Sequence, residues 1–165
     1  SASTGSGGKV HSWVTFRLGE FLLNYAEATF KYFGGADNKD GELTMSAREA
    51  VNKIRKRTGV DMPEFPEGMS SDNFWKRYKN ERMVELAFEG HRFWDLRRWK
   101  LAESVLNNKY FHGMKITEEN GVKHYEVFEL NMLPKQVFLP KHYLMPINIG
   151  EMEKNPNLGS NNDGY

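Results

Sequence analysis

The sequence predicts a mostly α-helical fold of antiparallel helical hairpins, with one small β excursion and an irregular C-terminal segment. Three observations predict it. Apolar residues recur at helical spacing from residue 16 to 107, Gly and Pro cut that stretch into short helices, and after Asn107-Asn108 the pattern changes to short aromatic and β-branched runs.

From Phe16 to Phe33, Leu18, Phe21, Leu22, Tyr25, Ala26 and Thr29 mark an apolar stripe, and Arg17, Glu20, Asn24, Glu27 and Lys31 the complementary polar one. Gly34-Gly35 ends this helix. A polar loop then leads to Ser46-Ala-Arg-Glu49, a capping-box pattern that opens a second helix, with Ala47, Ala50, Val51 and Ile54 inward and Gly59 at its close. Two helices joined this way form the antiparallel hairpin from which tetratricopeptide-like (TPR-like) solenoids are built, with a looser spacing than the regular repeat. After a linker at Pro63, Pro66 and Gly68, Asp72–Glu89 and Arg92–Asn107 read as a second helical pair bent at Gly90-His91. Tyr110–Ile116 and Lys123–Leu130 read as strands around an Asn120-Gly121 turn. The Pro-punctuated remainder is expected to be irregular and to pack across the helices.

With 165 residues, 39% of them apolar, the chain has enough to bury a core, and the segment 16–165 reads as one domain. Residues 1–15, Ser/Gly-rich and without an initiating Met, are expected to be a flexible linker or loop in something longer. The balance of 23 basic and 22 acidic residues supplies no field for nucleic acid, and the lack of cysteine excludes disulfides and thiolate chemistry. Arg97-Arg98 beside Trp99 is hemmed in by Glu89, Asp95 and Glu103, so no nucleic-acid partner is expected.

Residues with possible chemistry mostly have a plainer role. The loop Ala36-Asp-Asn-Lys-Asp-Gly41 puts Ala36 and Ala47 where an EF-hand needs carboxylates, and Gly5-Ser-Gly-Gly-Lys9 lacks the first glycine and the hydroxyl of a P-loop. The histidines show no ligand spacing, and no nucleophile elbow is present, so neither metal, cofactor nor catalytic residue is assigned. Glu81, Glu85 and Glu89 share a helical face, but Arg77, Arg82, Arg92, Arg97 and Arg98 lie close in sequence. Together with Asp95, these are read as a structural acid–Arg network that fixes a helix crossing. Trp75, Phe93, Trp94 and Trp99 are expected in the core. Trp13, Tyr110 and Tyr125, in less regular segments, are the candidates for stacking on a sugar.

Several of these segments join into a family pattern. Phe16-Arg-Leu-Gly-Glu20, Leu23-Asn-Tyr-Ala-Glu-Ala28, Ala50-Val-Asn-Lys-Ile-Arg55 and Thr58-Gly59 precede a twenty-residue run, Asn80-Glu-Arg-Met-Val-Glu-Leu-Ala-Phe-Glu-Gly-His-Arg-Phe-Trp-Asp-Leu-Arg-Arg-Trp99. That run resembles the signature of the SusD/RagB family. Tyr143-Leu-Met-Pro-Ile147, Asn155-Pro-Asn-Leu158 and the closing Asn-Asp-Gly-Tyr165 resemble its C-terminus.

The resemblance implies the C-terminal part of a non-catalytic, lipid-anchored, outer-membrane surface protein that binds oligosaccharides and hands them to a SusC-type TonB-dependent transporter. Members are usually several hundred residues long and begin with a signal peptide and a lipidated cysteine. The anchor, most glycan-contacting loops and the N-terminal partner part are therefore expected upstream of residue 1. Two other readings stand beside this one: a TPR-like protein–protein interaction module without glycan binding, and a glycosidase using two of the carboxylates. The second ranks last, because no acid pair is set apart from an arginine.

Overall fold

Helices account for most of the regular structure in the computed structural model, which describes residues 15–165. Trp13 and nearly all of the expected linker at 1–15 lie outside the described residues. The chain divides into two compact units, the first ending at His91 and the second comprising Arg92–Tyr165. The sequence-level span 16–165 takes in both.

In the first unit, α1 (Leu18–Phe33) and α2 (Ala47–Arg55) form the expected hairpin, and α3 (Ser71–Glu85) follows the Pro-rich linker. α1 ends where Gly34 takes φ 70, a left-handed conformation that favours glycine, and its N–H donates to the Phe30 carbonyl. Leu23, Ala26, Phe30, Ala50, Val51, Ile54, Phe65, Phe74 and Tyr78 are buried. Phe30 meets Phe74 at 4.9 Å between ring centroids, and Phe74 meets Phe65 edge-on at 6.1 Å.

The buried face of α1 matches the expected one only in part. Ala26 and Thr29 are inward as expected, but Leu18 and Phe21 are exposed, while Leu23 and Phe30 are inward. Residues two apart on a helix point roughly 200° apart, so burying Leu23 turns Phe21 outward. The helix carries two apolar stripes, and the packing of α2 and α3 selects between them.

At the start of α2 the capping box is complete. Glu49 N–H donates to Ser46 Oγ at 3.2 Å, and Ser46 N–H donates to Glu49 Oε2 at 2.7 Å. Lys39 Nζ adds a 2.8 Å ion pair, and these bonds hold the Glu49 carboxyl down at about 2. Because that value lies below the ordinary 4.5, the associated stability is fully present above about pH 4.5 and is lost as pH falls towards 2. Acid titration of the unfolding midpoint should show this loss, and Glu49→Gln should flatten the curve over the same window. A parallel curve for the variant would remove Glu49 from the account.

The connecting loop closes on itself. Asp40 Oδ1 accepts from the N–H groups of Glu42 and Leu43, and Asp37 accepts from Arg48 and from Gly68 N–H. Its carboxylates therefore serve as turn and linker ties.

α4 (His91–Arg98), all but its first residue in the second unit, and α5 (Ala102–Leu106) replace the single helix expected over Arg92–Asn107. Lys100, at φ 56, breaks it, and Leu101 N–H closes the turn onto the Leu96 carbonyl at 2.8 Å. That turn allows Leu96, Ala102 and Phe138 to form a second core, with Leu101, Leu106 and Tyr143 packed on it. The irregular C-terminal segment thus packs on helices, as expected, through Phe138 and Tyr143.

Strands β1 (His112–Glu119) and β2 (Val122–Glu129) pair antiparallel, with Glu119 opposite Val122. Asn120 at φ 52 and Gly121 at φ 79 form the two-residue turn expected from the Asn-Gly dipeptide. Beyond Pro134, two 3-10 turns (Pro140–Tyr143 and Pro156–Leu158) and a six-residue helix α6 (Ile149–Lys154) are the regular pieces.

Candidate functional site

The twenty-residue run Asn80–Trp99 begins inside α3 and ends just after α4, and its acids are all held by hydrogen bonds or ion pairs. Glu81 pairs with Arg55, whose Nε also donates to the Pro63 carbonyl at 2.6 Å. Glu85 receives Arg17 Nη1 at 2.7 Å and Arg57 Nη1 at 2.5 Å. Arg17 reaches further: its Nε donates to Glu89 Oε2 at 2.8 Å, and its Nη2 to Glu89 Oε1 at 2.7 Å and to the Glu85 carbonyl at 2.5 Å. One guanidinium thus binds a carboxylate bidentately and caps the end of α3.

α3 stops at Glu85, four residues earlier than the sequence suggests, and Leu86 turns into the core. The close approach of α1 depends on Gly19. A Cβ there would lie 2.5 Å from Arg17 Nη1 and 2.9 Å from Glu85 Oε1.

The remaining members are placed differently. Buried Arg82 donates from Nη1 to Asn24 Oδ1 at 2.7 Å, beside Tyr78, whose hydroxyl donates to the Leu23 carbonyl at 2.9 Å. Arg98 pairs with Asp95 at 2.8 Å within α4. Arg97 lies 3.5 Å above the Phe93 ring and donates to the His142 carbonyl. Arg92 is half-buried, and burial lowers its pKa against the opposing charge of Asp95.

The arginines that hold Glu81, Glu85 and Glu89 therefore come from outside the run. At these three acids Arg17, Arg55 and Arg57 stand where Arg77, Arg82, Arg92 or Arg97 were expected, whereas Arg98 serves Asp95. The sequence clue was present for two of them, since Arg17 and Arg55 lie in the other segments that carry the family pattern. Asn52, which binds both backbone groups of Phe65, lies in the same segment as Arg55 and went unassigned.

The electrostatics suit architecture. Burial pushes the Glu85 carboxyl up, but the Arg57 and Arg17 hydrogen bonds outweigh it and hold it below the usual range; for Glu89, the Arg17 bond dominates. A general acid needs the opposite shift. Among the described residues, no group of three or more His, Asp or Glu side chains is placed to hold a metal ion.

The aromatic candidates divide. Tyr125 is exposed on one face of the hairpin, opposite Ile116, and Tyr110 is half-buried with Lys135 Nζ 5.0 Å from its ring centre. Phe93 and Trp94, expected in the core, are exposed instead and stack on each other edge-to-face at 4.9 Å. Helical spacing alone does not say which side of a short helix is covered. A groove of about 870 Å³ runs along α3, where Met62, Val84 and the Phe65 ring meet Asn73, Arg77 and Asn80.

The hairpin-plus-excursion architecture and the Asn80–Trp99 run agree with one family. Residues 1–165 match the model of the SusD family along their whole length. The chain belongs to the SusD family. Its SusD-family relatives include SusD-like protein P2 of Formosa agariphila, 29% identical over 159 residues covering 93% of this chain and 26% of that protein. SusD-like protein P25 of the same organism is 26% identical over 92% of this chain and 24% of its own length. A solved SusD-like protein from Bacteroides fragilis superposes with a TM-score of 0.68 at 29% identity, over 93% of this chain and 26% of that one. The chain thus spans about a quarter of the length of these relatives. SusD-family proteins generally bind glycans for uptake without catalysis, and are typically lipoproteins of the outer-membrane surface. Among the described residues of this member, no helix is long and apolar enough to cross a membrane.

Proposed function

We propose that this chain is the scaffold portion of a non-catalytic nutrient-binding protein that captures oligosaccharides at the outer-membrane surface, held there by a lipid anchor, and delivers them to a SusC-type TonB-dependent transporter. The observation that carries this reading is the SusD-family match over residues 1–165. The acid–Arg network supports it from a second direction. Glu81, Glu85, Glu89 and Asp95 each serve an arginine, which leaves them to position helices and not to transfer protons. Sugar is held by aromatic stacking and polar hydrogen bonds, with Tyr125 and Tyr110 the first positions to test in the described chain.

Two measurements test the reading. Incubation with a polysaccharide panel is expected to release no reducing ends, and turnover abolished by one carboxylate substitution would replace it with the glycosidase alternative. Calorimetry against oligosaccharides is expected to give weak or no binding to these 165 residues and clear binding to a protein that includes the remaining three quarters of a SusD-family fold. Equal affinities would move the site into this chain, and no glycan binding by either would favour the protein–protein interaction module.

A further inference from the structure

The groove along α3 carries charge that the acid–Arg network does not use. Its volume of about 870 Å³ lies within the range of small-molecule sites. Arg55, Arg57, Lys76 and Arg77 line it, against the carboxylates of Glu81 and Glu85. Arg55 is taken by Glu81 and Arg57 by Glu85, and among the described residues no carboxylate pairs with Lys76 or Arg77. The groove therefore holds two positive charges in excess. Asn73, Lys76, Arg77 and Asn80 are all exposed and follow at i, i+3, i+4 and i+7, so one face of α3 presents them together. The Arg77 guanidinium is also set in position. It lies 4.2 Å from the centre of the Phe65 ring, and Phe65 is fixed in turn by the two Asn52 hydrogen bonds to its backbone. Val60, Met62 and Val84, exposed as well, supply the apolar part of the lining.

We propose that this groove is a binding site for an oxyanion-bearing oligosaccharide, one that carries a uronate carboxylate or a sulfate ester. The proposal rests on the nutrient-binding reading for the sugar, and on the groove itself for the charge. A guanidinium held against a ring keeps its N–H donors, which lie in its own plane, for a fork onto a carboxylate or sulfate. Lys76, the next residue along, adds a point charge to the same anion or to a neighbouring one. Asn73 and Asn80 each offer a donor and an acceptor, which matches a sugar hydroxyl that does both. Val60, Met62 and Val84 receive the apolar C–H face of a sugar ring. Glu81 and Glu85 do not repel such a ligand, because Arg55, Arg57 and Arg17 already neutralise them. A neutral glycan uses only the amides and the apolar lining and leaves both cations without a partner, so the groove selects by charge.

NMR titration of the 165-residue chain, which reads weak binding, tests this with two matched pairs of probes. One is a galacturonate tetrasaccharide with its methyl-esterified form, the other a sulfated carrageenan tetrasaccharide with its desulfated form. In at least one pair the charged member is expected to bind about tenfold more tightly than the neutral one, and the pair that does so distinguishes carboxylate from sulfate. Raising the salt concentration should weaken that binding. Lys76→Gln and Arg77→Gln are each expected to lower the affinity about fivefold or more with the circular dichroism spectrum unchanged, while Lys123→Gln on β2, the same change of charge outside the groove, leaves it alone. An equal loss from Lys123→Gln, or inorganic sulfate that binds as tightly as the oligosaccharide, overturns the proposal in favour of a general attraction for anions. Equal affinity for charged and neutral members, or no binding of either charged probe, overturns it too. If Arg77→Gln unfolds the chain, Lys76→Gln and the probe pairs still decide it. Failure here is separable from failure of the nutrient-binding reading. Glycan binding by a longer protein with none in this groove sinks the proposal alone, whereas a charge-selective groove in a longer protein that takes up no glycan sinks that reading alone.

Discussion

Replacing Asn52 with alanine is expected to lower the unfolding free energy by roughly 3 kcal/mol, because it strands two buried backbone groups at once. Asn52 lies on α2 with only 5% of its surface exposed. Its Nδ2 donates to the Phe65 carbonyl at 3.1 Å, and its Oδ1 accepts from Phe65 N–H at 2.8 Å. The amide thus satisfies both the donor and the acceptor of a linker residue whose ring is in the core, a pairing that no hydrophobic residue reproduces. Denaturant melts of Asn52→Ala and of the adjacent exposed control Lys53→Ala should separate cleanly, the control staying within about 0.5 kcal/mol of the parent. A loss below about 1 kcal/mol for Asn52→Ala would mean that water replaces the amide and that the linker is not held through this residue.

Arg17→Ala is expected to cost about 2 kcal/mol, between the 3 or more of a fully buried broken pair and the at most about 1 of an exposed one. The Arg17 side chain is 27% exposed and that of Glu85 only 9%, and Arg57 still reaches Glu85 after the substitution. What is lost is the bidentate grip on Glu89 and the cap on the Glu85 carbonyl. Arg92→Ala makes the contrast, with an expected cost of about 1 kcal/mol or less: burial already disfavours the Arg92 charge, and its neighbour Asp95 is paired with Arg98. Equal losses for the two variants would return Arg92 to the role the sequence suggested for it. In a longer protein that binds glycan, affinity per folded molecule should survive Arg17→Ala. Lost binding at an unchanged unfolding midpoint would make Arg17 a site residue.

Local chemistry was legible from the sequence wherever a short segment decides its own conformation. Ser46 with Glu49, Gly34 after α1 and Asn120-Gly121 each specify a cap or a turn within four residues, and all three stand as read. The family pattern was legible for a related reason, since the Asn80–Trp99 run is contiguous. The helix breaks at Leu86 and Lys100 were not, because the residues there are ordinary helix formers: burial of Leu86 and the closure of Leu101 onto Leu96 end the two helices.

By itself, then, the sequence determined the helical-hairpin class, the turns at Gly34 and Asn120-Gly121, and the family, since these depend on spacing and on residues close along the chain. Only the tertiary structure decided which arginine serves which carboxylate, which of the two stripes on α1 is buried, and that Phe93 and Trp94 face outward. Those outcomes depend on groups far apart in sequence. Arg17 and Glu89, separated by 72 positions, meet only once α1 and α3 have packed.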